Sequence, residues 1–130
     1  MAPEYFLWAL DVANNNDVLN AVNTGHEKFG RIDIVVNNAG YADTSSVEDV
    51  DINDFRAQID ANFYGTVYVS KAVTPILRQQ GSGHIFQISS VGGRLASPGL
   101  AAYQSAKYAR STGRLDREVE QAAASQSTQQ

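Results

Sequence analysis

Three short apolar runs, separated by segments of helical periodicity, place this chain in the α/β class with an open, doubly wound parallel sheet. The runs are residues 6–10, 32–36 and 85–88. Each is continuous rather than alternating, the pattern of parallel strands covered on both faces. Strand, helix, strand, helix, strand, helix then implies right-handed crossovers. The polar residues with chemical use, namely Asp11, residues 37–40 and Ser89-Ser90, fall just beyond those runs, where open α/β sheets bind their ligands.

The elements follow in order. Phe6-Leu7-Trp8-Ala9-Leu10 has the length and aromatic content of a buried strand. A cluster of three asparagines ends it, and Asn15 or Asn16 can cap a helix starting near Asp17. Val18, Leu19, Val22 and Phe29 recur along that helix, and Gly30 stops it. Residues 32–36 form the second strand. After a polar loop, Asp51 caps a long helix with Asp54 at its third position, and its apolar stripe is Ile52, Phe55, Ile59, Phe63, Val67, Val73 and Ile76 or Leu77. Pro75 kinks this helix or tightens its last turn. Residues 85–88 form the third strand, and a helix from near Leu100 carries Tyr103 and Lys107. Residues 110–113 interrupt that helix. Residues 116–124 suit a polar helix, and residues 125–130 contain only Ser, Gln and Thr, too polar to bury a core. One domain over residues 1–109 with a partly disordered polar tail over 110–130 is therefore expected.

Composition narrows the function. The 130 residues carry a net charge of −4 and no basic run, which argues against nucleic-acid binding and against a polybasic membrane contact. No stretch approaches the roughly 18 apolar residues of a membrane span. There is no cysteine, so disulfides, thiolate metal sites and thiol nucleophiles are excluded. His26 and His84 lack a metal-ligand spacing, and no metal site is expected. Residues 1–10 lack the basic start of a signal peptide, so a cytoplasmic location is expected.

Five segments carry chemistry. Asn37-Asn38-Ala39-Gly40 follows a strand, Ile88-Ser89-Ser90 ends another, and Tyr103-Gln104-Ser105-Ala106-Lys107 lies on a helix. Asn62 sits in Asn62-Phe63-Tyr64-Gly65, and Asp11-Val12 closes the first run. In this order these segments resemble the NNAG, catalytic-serine, YxxxK, helix-asparagine and acidic motifs of the short-chain dehydrogenase/reductase family, from about residue 6 to residue 109. The resemblance implies a partial Rossmann-like sheet and an NAD(P)-dependent oxidoreductase acting on a small carbonyl or secondary alcohol. It implies catalytic roles for Asn62, Ser90, Tyr103 and Lys107. It places Asp11 and Val12 at the adenine ring, adds Asn38, Ala39 and Gly40 to the cofactor contacts, sets Lys107 on the nicotinamide ribose, and has Asn62 anchor a proton-relaying water. Between NAD and NADP, the second is slightly favoured. The family associates through helices matching residues 51–79 and 100–109, so a homo-oligomer is expected.

The residue types suit that chemistry. Tyr103 and Lys107, four apart on a helix, share one face. A tyrosine titrates near pH 10, and a neighbouring cation favours its phenolate. Tyr103 is then suited to exchange a proton with a substrate oxygen, and Ser90 to hydrogen-bond the same oxygen. Ser90 is preferred to Ser89 by its family-like spacing to Tyr103; Ser89 faces another way, because strand neighbours alternate.

The TGxxxGxG turn with which the family cradles a pyrophosphate does not occur in this sequence, and Gly92-Gly93 has no third glycine at the required interval. The family's later strands do not appear either. The expectation is a central fragment, a truncated gene product or a mis-predicted gene model. The alternative to an enzyme is an inactive chain acting as a non-catalytic oligomerisation partner.

Overall fold

The computed structural model describes residues 4–112, excluding the side chains of residues 111 and 112. Helix α1 spans Asn15–Phe29, strand β1 Ile34–Asn37, helix α2 Ile52–Ile59, a π-helical turn Asp60–Tyr64, helix α3 Gly65–Gln80, strand β2 His84–Gln87, a 3₁₀ turn Val91–Gly93, and helix α4 Ala101–Thr112. Strands β1 and β2 pair in parallel, with Ile34 opposite His84 and Asn37 opposite Gln87. The α/β class and the parallel sheet hold.

Local chemistry sets the helix ends. Asn14, rather than Asn15 or Asn16, caps α1: its side-chain oxygen accepts from the N–H groups of Asn16 and Asp17. The helix therefore starts two residues earlier than expected. Gly30, at φ 77°, ends it in the left-handed conformation that glycine adopts without strain. Asp51 caps α2 as expected, accepting from Asn53 and Asp54. Helix α3 runs through Pro75 to Gln80.

Several expectations are corrected. Residues 6–10 form no strand. Among the described residues only β1 and β2 offer each other a ladder, and an apolar run without a hydrogen-bonding neighbour stays merely extended. Leu7 is 85% exposed. The two strands are not buried on both faces. Val35, Asn37, Ile85 and Gln87 form the more covered row, whereas Ile34, Val36 and Phe86 are exposed. Helix α3 packs on the sheet, and the other face remains open among the described residues. Helix α4 continues through residues 110–112, past the expected interruption, and Arg110 is buried. The expected tail elements lie outside the described residues.

The single long helix from Asp51 is in fact α2 and α3 joined by the π turn, in which Gly65 N–H donates to Asp60 O five residues back. The wider turn shifts the helical phase. The buried line runs through Gln58, Asn62, Thr66 and Ser70 and meets the expected stripe only at Val73 and Leu77; Ile52, at the start of that stripe, is 62% exposed.

The end of α3 is fastened to the start of β1 by one side chain. Gln80 Nε2 donates to Ile32 O at 2.6 Å, and Ile32 N–H donates back to Gln80 Oε1 at 2.9 Å, a side-chain imitation of a strand rung. Replacing Gln80 by Ala leaves both backbone groups without this partner. Urea denaturation is expected to show a loss of about 1–3 kcal/mol, whereas alanine at the exposed neighbour Gln79 should stay within about 0.5 kcal/mol of the parent.

Candidate active site

Two glycines let the loop after β2 lie flat on α4. A Cβ on Gly92 would stand 3.1 Å from Tyr103 Cε1, and one on Gly93 would stand 3.3 Å from Lys107 O. The loop is anchored by Ser90, whose Oγ accepts from Gly92 N–H at 3.2 Å and caps the 3₁₀ turn. That bond uses Ser90 as an acceptor and leaves its own O–H to donate. Ser89 is exposed beside it. Farther along, Gln104 grips Ser97 twice: it accepts from Ser97 N–H at 3.0 Å and donates to Ser97 Oγ at 2.8 Å.

Lys107 is 6% exposed. Its Nζ lies 5.6 Å from the centroid of the Tyr103 ring and donates to Ile88 O at 3.3 Å. Burial, and secondarily the nearby Arg110 guanidinium, hold its ammonium below the ordinary lysine value. The same Nζ comes within 4.0 Å of the point where a Cβ on Gly40 would sit.

Asn62 also meets Gly40 there. Its Nδ2 donates to Tyr41 O at 2.7 Å and to Gln58 O at 2.8 Å. Its buried Oδ1 has no hydrogen-bond partner, and a Cβ on Gly40 would overlap it. Glycine is required here for close approach, with its Cα–H against the carboxamide oxygen. The expected water-anchoring role therefore does not belong to the Asn62 amide nitrogen, whose two hydrogens hold backbone carbonyls. Gln58, one turn earlier and 1% exposed, accepts from Asp43 N–H at 3.1 Å and steadies the same loop.

The structure thus brings Asn62, Gly40, Lys107 and Tyr103 into one run of neighbours at the strand ends, and Ser90 holds the loop whose Gly92 lies against Tyr103. Of the other candidates, Val12, Asn38 and Ala39 line a separate cleft of about 220 Å³, with Leu10, Val36 and Val69 among others. Asp11 is exposed, and its Oδ1 accepts from Ala13 N–H at 3.0 Å, a local turn at the head of α1. Sequence reasoning missed Gln58, Gln87 and the packing role of Gly92. Gln58 carried a signal, since it lies four residues before Asn62 on one helix face.

These residues fit the nicotinamide-ribose end of a dinucleotide. Lys107 spends one N–H on Ile88 O and retains two for hydroxyls. The N-termini of α1 and α2 offer no pyrophosphate cradle, because Asn14 and Asp51 close them.

A family model for short chain dehydrogenase matches residues 2–122. The chain is 71% identical over 101 residues to the oxidoreductase BOA17 of Botryotinia fuckeliana, a match covering 78% of this chain and 37% of that protein. It resembles the structure of an NAD+-bound xylitol dehydrogenase with a TM-score of 0.77 and 32% identity, over 84% of this chain and 44% of that one. A gluconate 5-dehydrogenase from Burkholderia cenocepacia, solved with NADP and tartrate, gives a TM-score of 0.77 and 32% identity, over 83% and 44%. The chain spans less than half the length of these relatives.

Two outcomes are expected. Gly40→Ala should push the Asn62 carboxamide off its carbonyls at a cost of about 1–3 kcal/mol, with a shift of the Asn62 side-chain amide resonance; an unshifted resonance at parental stability would contradict the contact. For Lys107, a folded-state pKa below its ordinary 10.5 means that the unfolded chain binds more protons just below that pH. The penalty is full below the folded pKa and is relieved as pH rises toward 10.5. The stability of the parent relative to Lys107→Met, read by urea denaturation, should therefore increase over that window.

Proposed function

The chain belongs to the short-chain dehydrogenase family, and from that premise we propose that it carries the proton-transfer half of a nicotinamide-dependent oxidoreductase site acting on a small carbonyl or secondary alcohol. The observation that carries the reading is the placement of Lys107 beside both the Tyr103 ring and Gly40 at the strand ends. A bound nicotinamide dinucleotide, NAD or NADP, supplies or accepts the hydride. The residues of the chain manage the proton and the geometry. Tyr103 gives the proton to the substrate oxygen in reduction and takes it in oxidation. The free O–H of Ser90 hydrogen-bonds that oxygen and orients it. The Lys107 ammonium favours the ionised phenol and reaches ribose hydroxyls with its remaining N–H bonds. Asn62 shapes the wall by holding Tyr41 O and filling the space beside Gly40. Asp11, Val12, Asn38 and Ala39 are assigned to the adenosine side.

A second reading, a non-catalytic partner that self-associates through α2, α3 and α4, is favoured by the exposure of Ile52 on α2, Tyr64 in the π turn and Tyr108 on α4.

With the N-termini of α1 and α2 capped, the chain by itself should bind NADH and NADPH only at about millimolar strength. Fluorescence titration checks this, and micromolar binding would contradict it. When the segments present only in the longer relative BOA17 are grafted on, reductase or dehydrogenase activity should appear. Tyr103→Phe should lower its kcat by about 10²–10⁴-fold with little change in cofactor affinity, and Lys107→Met should impair both. A Tyr103→Phe graft with parental kcat would sink the assignment.

A further inference from the structure

The last rung of the sheet is polar where it faces α3. Asn37 stands opposite Gln87 across β1 and β2. Asn37 Nδ2 donates to Gln87 Oε1 at 2.9 Å and to Ser70 Oγ at 3.4 Å, and Gln87 Nε2 donates to the same Ser70 Oγ at 3.1 Å. Ser70 is 1% exposed and Asn37 8%. Two rungs earlier on the same face, Val35 and Ile85 make the pairing with apolar side chains. An apolar pair would serve adhesion equally well at the last rung, since burying polar groups gains nothing unless each finds a partner. Hydrogen bonds add direction. Two of them converge on one hydroxyl and the third ties the two amides together, which fixes the rotation of both strand ends against α3.

What lies one residue beyond is the docking point of the ammonium. Ile88 N–H donates to Asn37 O at 3.2 Å, and Ile88 O accepts from Lys107 Nζ at 3.3 Å. A single peptide separates the polar rung from Lys107. We propose that Gln87 is a positioning residue for Lys107: through Asn37 and Ser70 it fixes the Ile88 carbonyl on which the ammonium docks. The importance of this for turnover rests on the role given to Lys107 above, but the positioning is a property of the chain alone and is tested without activity.

The test is proton exchange of the Lys107 ammonium, followed by NMR on lysine-labelled protein at mildly acidic pH. The lysines of the chain are Lys28, Lys71 and Lys107, so Lys107→Arg assigns the resonance. The parent should show slower exchange at Lys107 than at the exposed Lys71. Gln87→Leu, which keeps the bulk and removes both bonds, should speed Lys107 exchange by at least about tenfold, the scale of one hydrogen bond to a charged group. Ser70→Ala should move it in the same direction by a smaller step. Val73→Ala, which weakens the core without touching the rung, should leave the rate unchanged. Unchanged exchange in folded Gln87→Leu overturns the proposal, as does a parent Lys107 that exchanges as fast as Lys71. If Gln87→Leu does not fold, unchanged exchange in Ser70→Ala overturns it. Failure of Lys107→Met to affect a grafted enzyme would sink the functional reading and leave these rates untouched.

Discussion

Loop backbone groups that lie against helices need hydrogen-bond partners, and in this chain side-chain carboxamides supply them. Gln80 pairs with both polar groups of Ile32, Gln58 receives the Asp43 N–H, Asn62 takes the Tyr41 carbonyl, and Gln104 holds Ser97. Each amide projects from a helix, and each partner lies in a loop or at a strand entrance. The loops that carry Gly40 and residues 94–100 are thereby referenced to rigid elements. The candidate site depends on this arrangement, because its residues come from those loops and from the helices that grip them.

Apolar burial alone would not give that precision. Among the described residues the buried apolar side chains are small or few: Val18, Val73, Leu77, Ala102 and Ala106. Burial of apolar surface is non-directional. It brings α1 against α3 and α4 against α2, but it does not choose which carbonyl faces Lys107. Directional bonds do so, at the cost of burying polar groups such as Gln58 and Asn62, which is tolerable because most of their hydrogen-bonding capacity is met. The exception, Asn62 Oδ1, is the atom that excludes any side chain at position 40.

The same chemistry decides what could be read from the sequence. The start of α1 was legible to within two residues, and its end and the start of α2 were legible outright, because glycine and short polar caps act locally: Gly30 and Asp51 sit where their conformational or hydrogen-bonding preferences require. The Tyr103–Lys107 spacing was legible because it needs only a helix. Residues 6–10 misled, since strand formation depends on a neighbour that composition does not reveal. The long helix misled in phase. Hydrophobic periodicity assumes that buried positions are apolar, and here the buried line holds Gln58, Asn62, Thr66 and Ser70, while the π turn inserts an extra residue. Gln87 gave no sign, because its role exists only when Asn37 and Ser70 are brought to it by the fold.

Asn62, Gly40, Lys107 and Tyr103 occupy one neighbourhood, with the Ser90 loop laid against it through Gly92. The most direct measurement is a nuclear Overhauser experiment on the labelled chain. Cross-peaks are expected from the Tyr103 ring protons to the Gly92 Hα protons, and from the Gly40 Hα protons to the Lys107 Hε protons. A folded chain that shows the β1–β2 cross-peaks but neither of these would contradict this arrangement.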